Sequence, residues 1–215
     1  MNIDLSLEPV LGALSYIAIA FFAATGALAA ARKNQTIVTF VFLGLVVGMG
    51  GGTVRDIMID APLFWTQSNA LPIIAIIASM LVWFVPSNWW RDNMIDWFDA
   101  VGLAAYAVYG AAKALEFGVN PAPAILIGCI AAVAGGILRD IIVGETTLVM
   151  GENIYISAGF LASASFIILT VLQVQISAAA VIGALAGFAL RGAAIYYNLR
   201  LPAYNWTLPD KNRDT

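Results

Sequence analysis

The sequence predicts an all-α integral membrane protein of seven transmembrane helices, built as two inverted three-helix repeats plus a seventh helix. Three observations carry that prediction: an apolar content of 61% against 11% charged residues, a division into seven apolar segments, and a short motif that occurs twice. Ten Lys/Arg and thirteen Asp/Glu cannot coat a soluble domain of 215 residues, so the apolar surface belongs in a bilayer. Backbone groups in lipid must be satisfied internally, and the segments lack the alternation of barrel strands. They are therefore helices.

Taken in order, the helices span Val10–Ala31, Thr36–Asp56, Ser68–Val85, Phe98–Leu115, Pro121–Asp140, Ile154–Leu172 and Ile176–Asn198, each near the ~20 residues that cross a hydrocarbon core. The third, fourth and fifth are short. Ahead of the first stand Asp4 and Glu8 and no basic residue, unlike the basic start of a secretory signal, so this segment reads as a retained membrane helix. Seven spans put the termini on opposite sides. The loops at 32–35, 86–97 and 141–153 share a side with the C-terminus, and that side carries Arg32, Lys33, Arg91, Arg200, Lys211 and Arg213. The opposite side has no basic residue outside the helices. The positive-inside rule thus predicts a multi-pass plasma (inner) membrane protein with its N-terminus outside and its C-terminus cytoplasmic. Trp89, Trp90 and Trp97 suit an interfacial belt, and residues 199–215 form a polar tail.

"GGTVRDI" at 51–57 returns as "GGILRDI" at 135–141, 84 residues later. The same offset relates Gly26 to Gly110, Ala27 to Ala111, Ala30 to Ala114, Gly44 to Gly128 and Asn69 to Asn153. One repeat covers about 10–85, the other about 98–172, and the seventh helix, about 176–198, stands outside the duplication. Because three helices reverse the direction of the chain, the second copy enters the membrane inverted, as in many transporters and some channels.

In each copy the glycines lie late in the middle helix. Gly44, Gly48 and Gly52 share one face, mirrored by Gly128, Ala132 and Gly136; small residues at this spacing let helices pack closely in lipid. The triplet Gly50-Gly51-Gly52 also invites a kink, which frees carbonyl oxygens that suit a cation. Arg55-Asp56 and Arg139-Asp140 follow. They either mark interfacial helix ends, where long side chains snorkel, or face a polar interior; the second reading is favoured. Adjacent helical residues point about 100° apart, so the expected pairing is across the repeats, Arg55 with Asp140 and Arg139 with Asp56.

A seven-helix chain with two inverted repeats, each bearing a glycine pair and Arg-Asp in its middle helix, resembles the prokaryotic branch of the TRIC (trimeric intracellular cation) channels over residues 10 to about 198. The resemblance implies a homotrimer in the membrane lipid, with a pore in each protomer lined by kinked second and fifth helices. It implies that potassium or sodium ions permeate and that no cofactor is required. It implies a pathway along Gly50, Gly51, Gly52, Thr53, Arg55, Asp56, Gly135, Gly136, Arg139 and Asp140, with Lys113 of the fourth helix as the candidate for gating. Snorkelling to the outer surface is the competing reading of Lys113. Animal members bind phosphoinositide through a lysine-containing motif where this chain has "GGTVRDIMID". The same bacterial sequences are also grouped as glycine transporters, so a carrier of glycine or another small zwitterion is the alternative.

Other residues are less telling. Asp99 fits an interfacial helix start. Asp60, Glu145 and Glu152 are loop carboxylates that either attract cations or are simply solvated. Gly183 and Gly187 form a generic packing pair, and Ser15, Thr25 and Tyr109 supply hydroxyls. Cys129, the one cysteine, sits in an apolar run as a small buried side chain. The absence of histidine removes His-based catalysis, and Ser157, Ser163 and Ser165 have no identifiable base, so an enzyme is not expected. Nor does a net charge of −3 suggest a nucleic-acid partner.

Overall fold

The computed structural model describes residues 9–90 and 93–204. Asp4, Glu8, Arg91, Lys211, Arg213 and most of the tail lie outside the described residues. Among the described residues there are seven α-helices: α1 (Pro9–Arg32), α2 (Ile37–Met58), α3 (Ala70–Phe84), α4 (Met94–Glu116), α5 (Pro121–Val143), α6 (Ile156–Val171) and α7 (Ile176–Tyr197). α1, α2, α5 and α7 are long and apolar enough to cross a membrane, and α3 and α6 are shorter apolar helices.

The helix ends follow local chemistry. Thr36 caps α2 by accepting from the Thr39 amide, and Pro121 opens α5, where its missing donor costs nothing. The chain leaves α1 and α4 through left-handed residues 84 positions apart, Asn34 and Gly118, and leaves α2 and α5 through another such pair, Asp60 and Gly144. Short 3-10 turns at Phe64–Thr66 and Leu148–Met150 also keep the offset. The duplication is thus written into the backbone as well as the side chains.

Packing has the same symmetry. α1 meets α4 and α2 meets α5 across the repeat boundary, while each repeat packs its own three helices together, and α7 joins α4 and α6. Lys33 pairs with Glu145 at 3.1 Å, and Asn153 bridges to Arg200. These contacts gather the 32–35 loop, the 141–153 loop and the start of the tail on one face, as seven spans require.

α4 begins at Met94, four residues before the expected start. That shift moves Asp99 from an interfacial helix start into the second turn, where it is fully buried. The correction has a physical basis: α4 touches α1, α5, α6 and α7, so its inner face meets protein rather than headgroups. The periphery of the bundle is apolar and exposed, with Val38, Phe42, Ile73, Ile77, Leu81, Phe84, Ile168 and Leu185 turned outward.

Candidate functional site

On α2 the positions Gly44, Gly48, Gly52 and Asp56 fall one turn apart on one face, and on α5 the series is Gly128, Ala132, Gly136 and Asp140. Each aspartate therefore caps a stripe of small residues. The helices cross where those stripes meet. A Cβ on Gly51 would run into the Ala131 carbonyl oxygen, and one on Gly135 would lie 2.9 Å from the Val47 carbonyl oxygen. Both helices continue unbroken through their glycines. At these positions the glycines serve backbone approach.

One turn beyond the crossing, Asp56 organises a buried cluster. Its Oδ1 accepts from Arg55 Nε at 2.9 Å, Arg55 Nη2 at 2.8 Å and Lys113 Nζ at 2.9 Å. Its Oδ2 accepts from the Phe64 amide at 2.7 Å and its backbone oxygen from the Ala61 amide. The Arg55 guanidinium lies 4.9 Å from the Tyr109 ring centre, 5.3 Å from that of Phe64 and 5.6 Å from that of Tyr106, close enough for cation–π attraction.

The second motif repeats this wiring. Asp140 Oδ1 accepts from Arg139 Nε at 2.8 Å, its Oδ2 from the Leu148 amide at 3.1 Å, and its backbone oxygen from the Glu145 amide. Leu148 and Glu145 stand 84 residues after Phe64 and Ala61. What differs is the partner from α4. Arg139 Nη1 donates to Asp99 Oδ1 at 2.7 Å, whereas Lys113 docks on Asp56. The Tyr106 hydroxyl occupies the space over Gly52, and the Tyr155 hydroxyl that over Gly136.

The expected cross-repeat pairs do not form. Arg55 bonds its own Asp56, and Arg139 bonds its own Asp140. Two physical reasons account for this. An arginine side chain is long enough to curl over the carboxylate of its neighbour despite the 100° divergence of their Cβ directions. In addition, both motifs follow the crossing in their own chain direction, so on antiparallel helices they end up on opposite sides of it.

The remaining sequence-derived candidates divide. Gly51, Gly52, Gly135 and Gly136 sit at the crossing. Gly50 and Thr53 line a lateral apolar groove with Phe42, Met49, Trp65 and Leu138, and there Thr53 accepts from Trp65 Nε1 at 3.1 Å. Lys113 does not snorkel; it reaches inward. Glu145 and Glu152 make surface pairs with Lys33 and Arg200, and Cys129 is buried. Asp99, Tyr106, Tyr155 and Arg191 are absent from the sequence-derived pathway. An ionisable group inside an apolar span points to Asp99 and Arg191; no sequence signal distinguishes the two tyrosines.

The family model described as "Glycine transporter" matches residues 13–87 and 96–171, the two repeats. The inner membrane protein YadS of Escherichia coli K12, of the UPF0126 group, is 30% identical over 198 residues, covering 89% of this chain and 94% of its own. YvgT of Bacillus subtilis, from the same group, is 34% identical over 149 residues, covering 66% of this chain and 72% of its own. A TRIC trimeric intracellular cation channel orthologue from Rhodobacter sphaeroides superposes with a TM-score of 0.82 at 35% identity, covering 89% of this chain and all of that one. The chain belongs to the prokaryotic TRIC family. A second prokaryotic TRIC channel, crystallised in 0.5 M KCl, gives a TM-score of 0.83 at 29% identity over 91% of this chain. TRIC architecture thus covers both repeats and the seventh helix, and these TRIC structures are channels rather than enzymes.

Proposed function

We propose that this TRIC protein is a monovalent cation channel, permeable to potassium and sodium, with one pathway per protomer along the crossing of α2 and α5. The observation that carries the reading is the pair of buried Arg-Asp motifs on either side of that crossing. In each, the guanidinium is paired with its own aspartate, which offsets the repulsion that an unpaired arginine ring would exert on a cation, and at Asp56 the remaining positive charge is that of Lys113. Arg55, Asp56, Arg139 and Asp140 are all buried, so conduction requires α4 to move away from the motifs it now covers. Lys113 is the mobile element of choice: its bond to Asp56 spans two helices, and its side chain keeps a little exposure. Similarity to a channel described as trimeric and the broad apolar periphery support a homotrimer in the inner membrane, with the C-terminus cytoplasmic by the positive-inside argument.

Reconstitution into planar bilayers with asymmetric potassium chloride tests the reading. Unitary currents that reverse toward the potassium equilibrium potential are expected; reversal toward chloride, or no steps at all, would reject it.

The family description as a glycine transporter favours a second reading, a carrier of small zwitterions. Such a substrate needs a free guanidinium donor beside a free carboxylate. Asp99 Oδ2 and Arg191 Nε, both buried, lack a hydrogen-bond partner around Tyr155 among the described residues, which is the observation in favour of the carrier, while the likeness to channel structures weighs toward the channel. Saturable glycine uptake by proteoliposomes in place of unitary steps would reverse the preference.

A further inference from the structure

We propose that the segment after α7, residues 199–201, is a strap that keeps Tyr155 seated over Gly136 and thereby closes the 32–35 side of the α2–α5 crossing. The inference rests on the channel reading and adds a control element to it.

The two tyrosines over the crossing glycines are held in different ways. Tyr106, whose hydroxyl lies over Gly52, stands in the middle of α4, and only a movement of that helix withdraws it. Tyr155, whose hydroxyl lies over Gly136 beside the Asp99 carboxylate, immediately precedes α6, at the end of the loop that leaves α5. A residue at the junction of loop and helix swings by a local change of dihedral angles. Its position is therefore set by whatever holds residues 152–154.

α7 and the chain that follows it do the holding. Asn198 ends α7 in the left-handed conformation, with φ at 52°, and the next residues run beside the loop. An antiparallel bridge joins Asn153 to Arg200, and within it the Leu201 amide donates to the Glu152 carbonyl oxygen at 2.7 Å. Arg191 Nη1 of α7 donates to the Ile154 carbonyl oxygen at 3.4 Å, and its guanidinium lies 5.2 Å from the Tyr155 ring centre. The Tyr155 amide donates to the Asn153 carbonyl oxygen at 2.9 Å, so the bridged residue is tied directly to the tyrosine. The start of the loop is anchored separately, by the Glu145 and Leu148 amides on Asp140. Release of the strap thus frees Tyr155 without dismantling the Arg139-Asp140 motif.

The first repeat has no counterpart. The positions equivalent to Asn153 and Tyr155 are Asn69 and Leu71, and among the described residues no backbone bond from another element reaches 68–71. The seventh helix, which stands outside the duplication, therefore acts on one mouth only. Its strap consists of one backbone bond and an exposed Arg200–Glu152 pair at 4.0 Å, weak enough for reversible release.

Planar-bilayer recording of the full chain carrying Asn153→Cys with Arg200→Cys tests the strap. Facing residues of an antiparallel bridge lie within disulfide reach, and the native Cys129 is buried. Oxidation should lower the open probability at least about fivefold relative to the reduced protein, and reduction should restore it. Leu201→Pro, which removes the amide donor, should raise the open probability by a similar factor. In a Tyr155→Phe background, which lacks the hydroxyl over Gly136, both effects should shrink toward unity. Equal opening of the oxidised, reduced and Leu201→Pro proteins overturns the strap, as does an undiminished response in the Tyr155→Phe background. Amide hydrogen exchange is the second readout: Leu201→Pro should speed exchange over residues 145–155 and leave 61–71 unchanged, and no change in 145–155 overturns the strap whatever the currents do. The two readings fail separately. Currents indifferent to the strap overturn it and spare the channel, whereas faster exchange with no currents in any of these proteins supports the seating of Tyr155 and rejects the channel.

Discussion

Asp56 and Asp140 do more than neutralise an arginine. Each ties the end of its helix to the turn eight residues later, through the Phe64 and Leu148 amides, so one carboxylate joins the guanidinium, the loop and, at Asp56, the lysine of α4. Removing such a partner leaves buried charge uncompensated. Asp56→Asn is expected to destabilise the protein by about 3–5 kcal/mol, read from unfolding of the purified chain, and to do so more severely than Lys113→Gln, which leaves Asp56 with Arg55. Double-mutant cycles separate the observed pairs from the discarded ones. Arg139 and Asp99 should show coupling, while Arg55 and Asp140 should be additive within about 0.5 kcal/mol. Swapping the charges of Arg55 and Asp140 together should rescue nothing.

The helices meet where side chains are absent. Gly51→Ala forces a methyl group against the Ala131 carbonyl, so α2 and α5 must separate, at an expected cost of about 1–3 kcal/mol. Gly12→Ala on α1 is the control, since its Cβ meets nothing within 4 Å; there the gain in helix propensity predicts no loss and up to about 1 kcal/mol of stabilisation. Unfolding of the two variants in parallel distinguishes a packing glycine from an incidental one. α4 is the element that breaks the symmetry. Its Lys113 is one charge, worth at most ~2.3 kcal/mol across a full 100 mV, so any voltage dependence of the currents should be shallow, and Lys113→Gln should remove it.

In the whole molecule, an inverted duplication places two copies of one motif on opposite sides of a single helix crossing, and one central helix then adds a lysine to one and an aspartate to the other. Much of this was legible in the chain: hydropathy alone marks the spans, and the offset of 84 residues marks the inversion, because three helices must reverse direction. The glycine stripes and the Arg-Asp motifs at their ends were legible too, as was the burial of Cys129. Which arginine bonds which aspartate was not, because sequence spacing gives the direction of a Cβ but not where the end of so long a side chain comes to rest. The burial of Asp99, the inward turn of Lys113, and the arrival of Tyr106 and Tyr155 over equivalent glycines depend on contacts between helices distant in sequence. Local order and repeat symmetry are properties of the chain read one window at a time. The choice of partner for a buried charge is made only when all the helices around it have packed, since any group within reach competes for it.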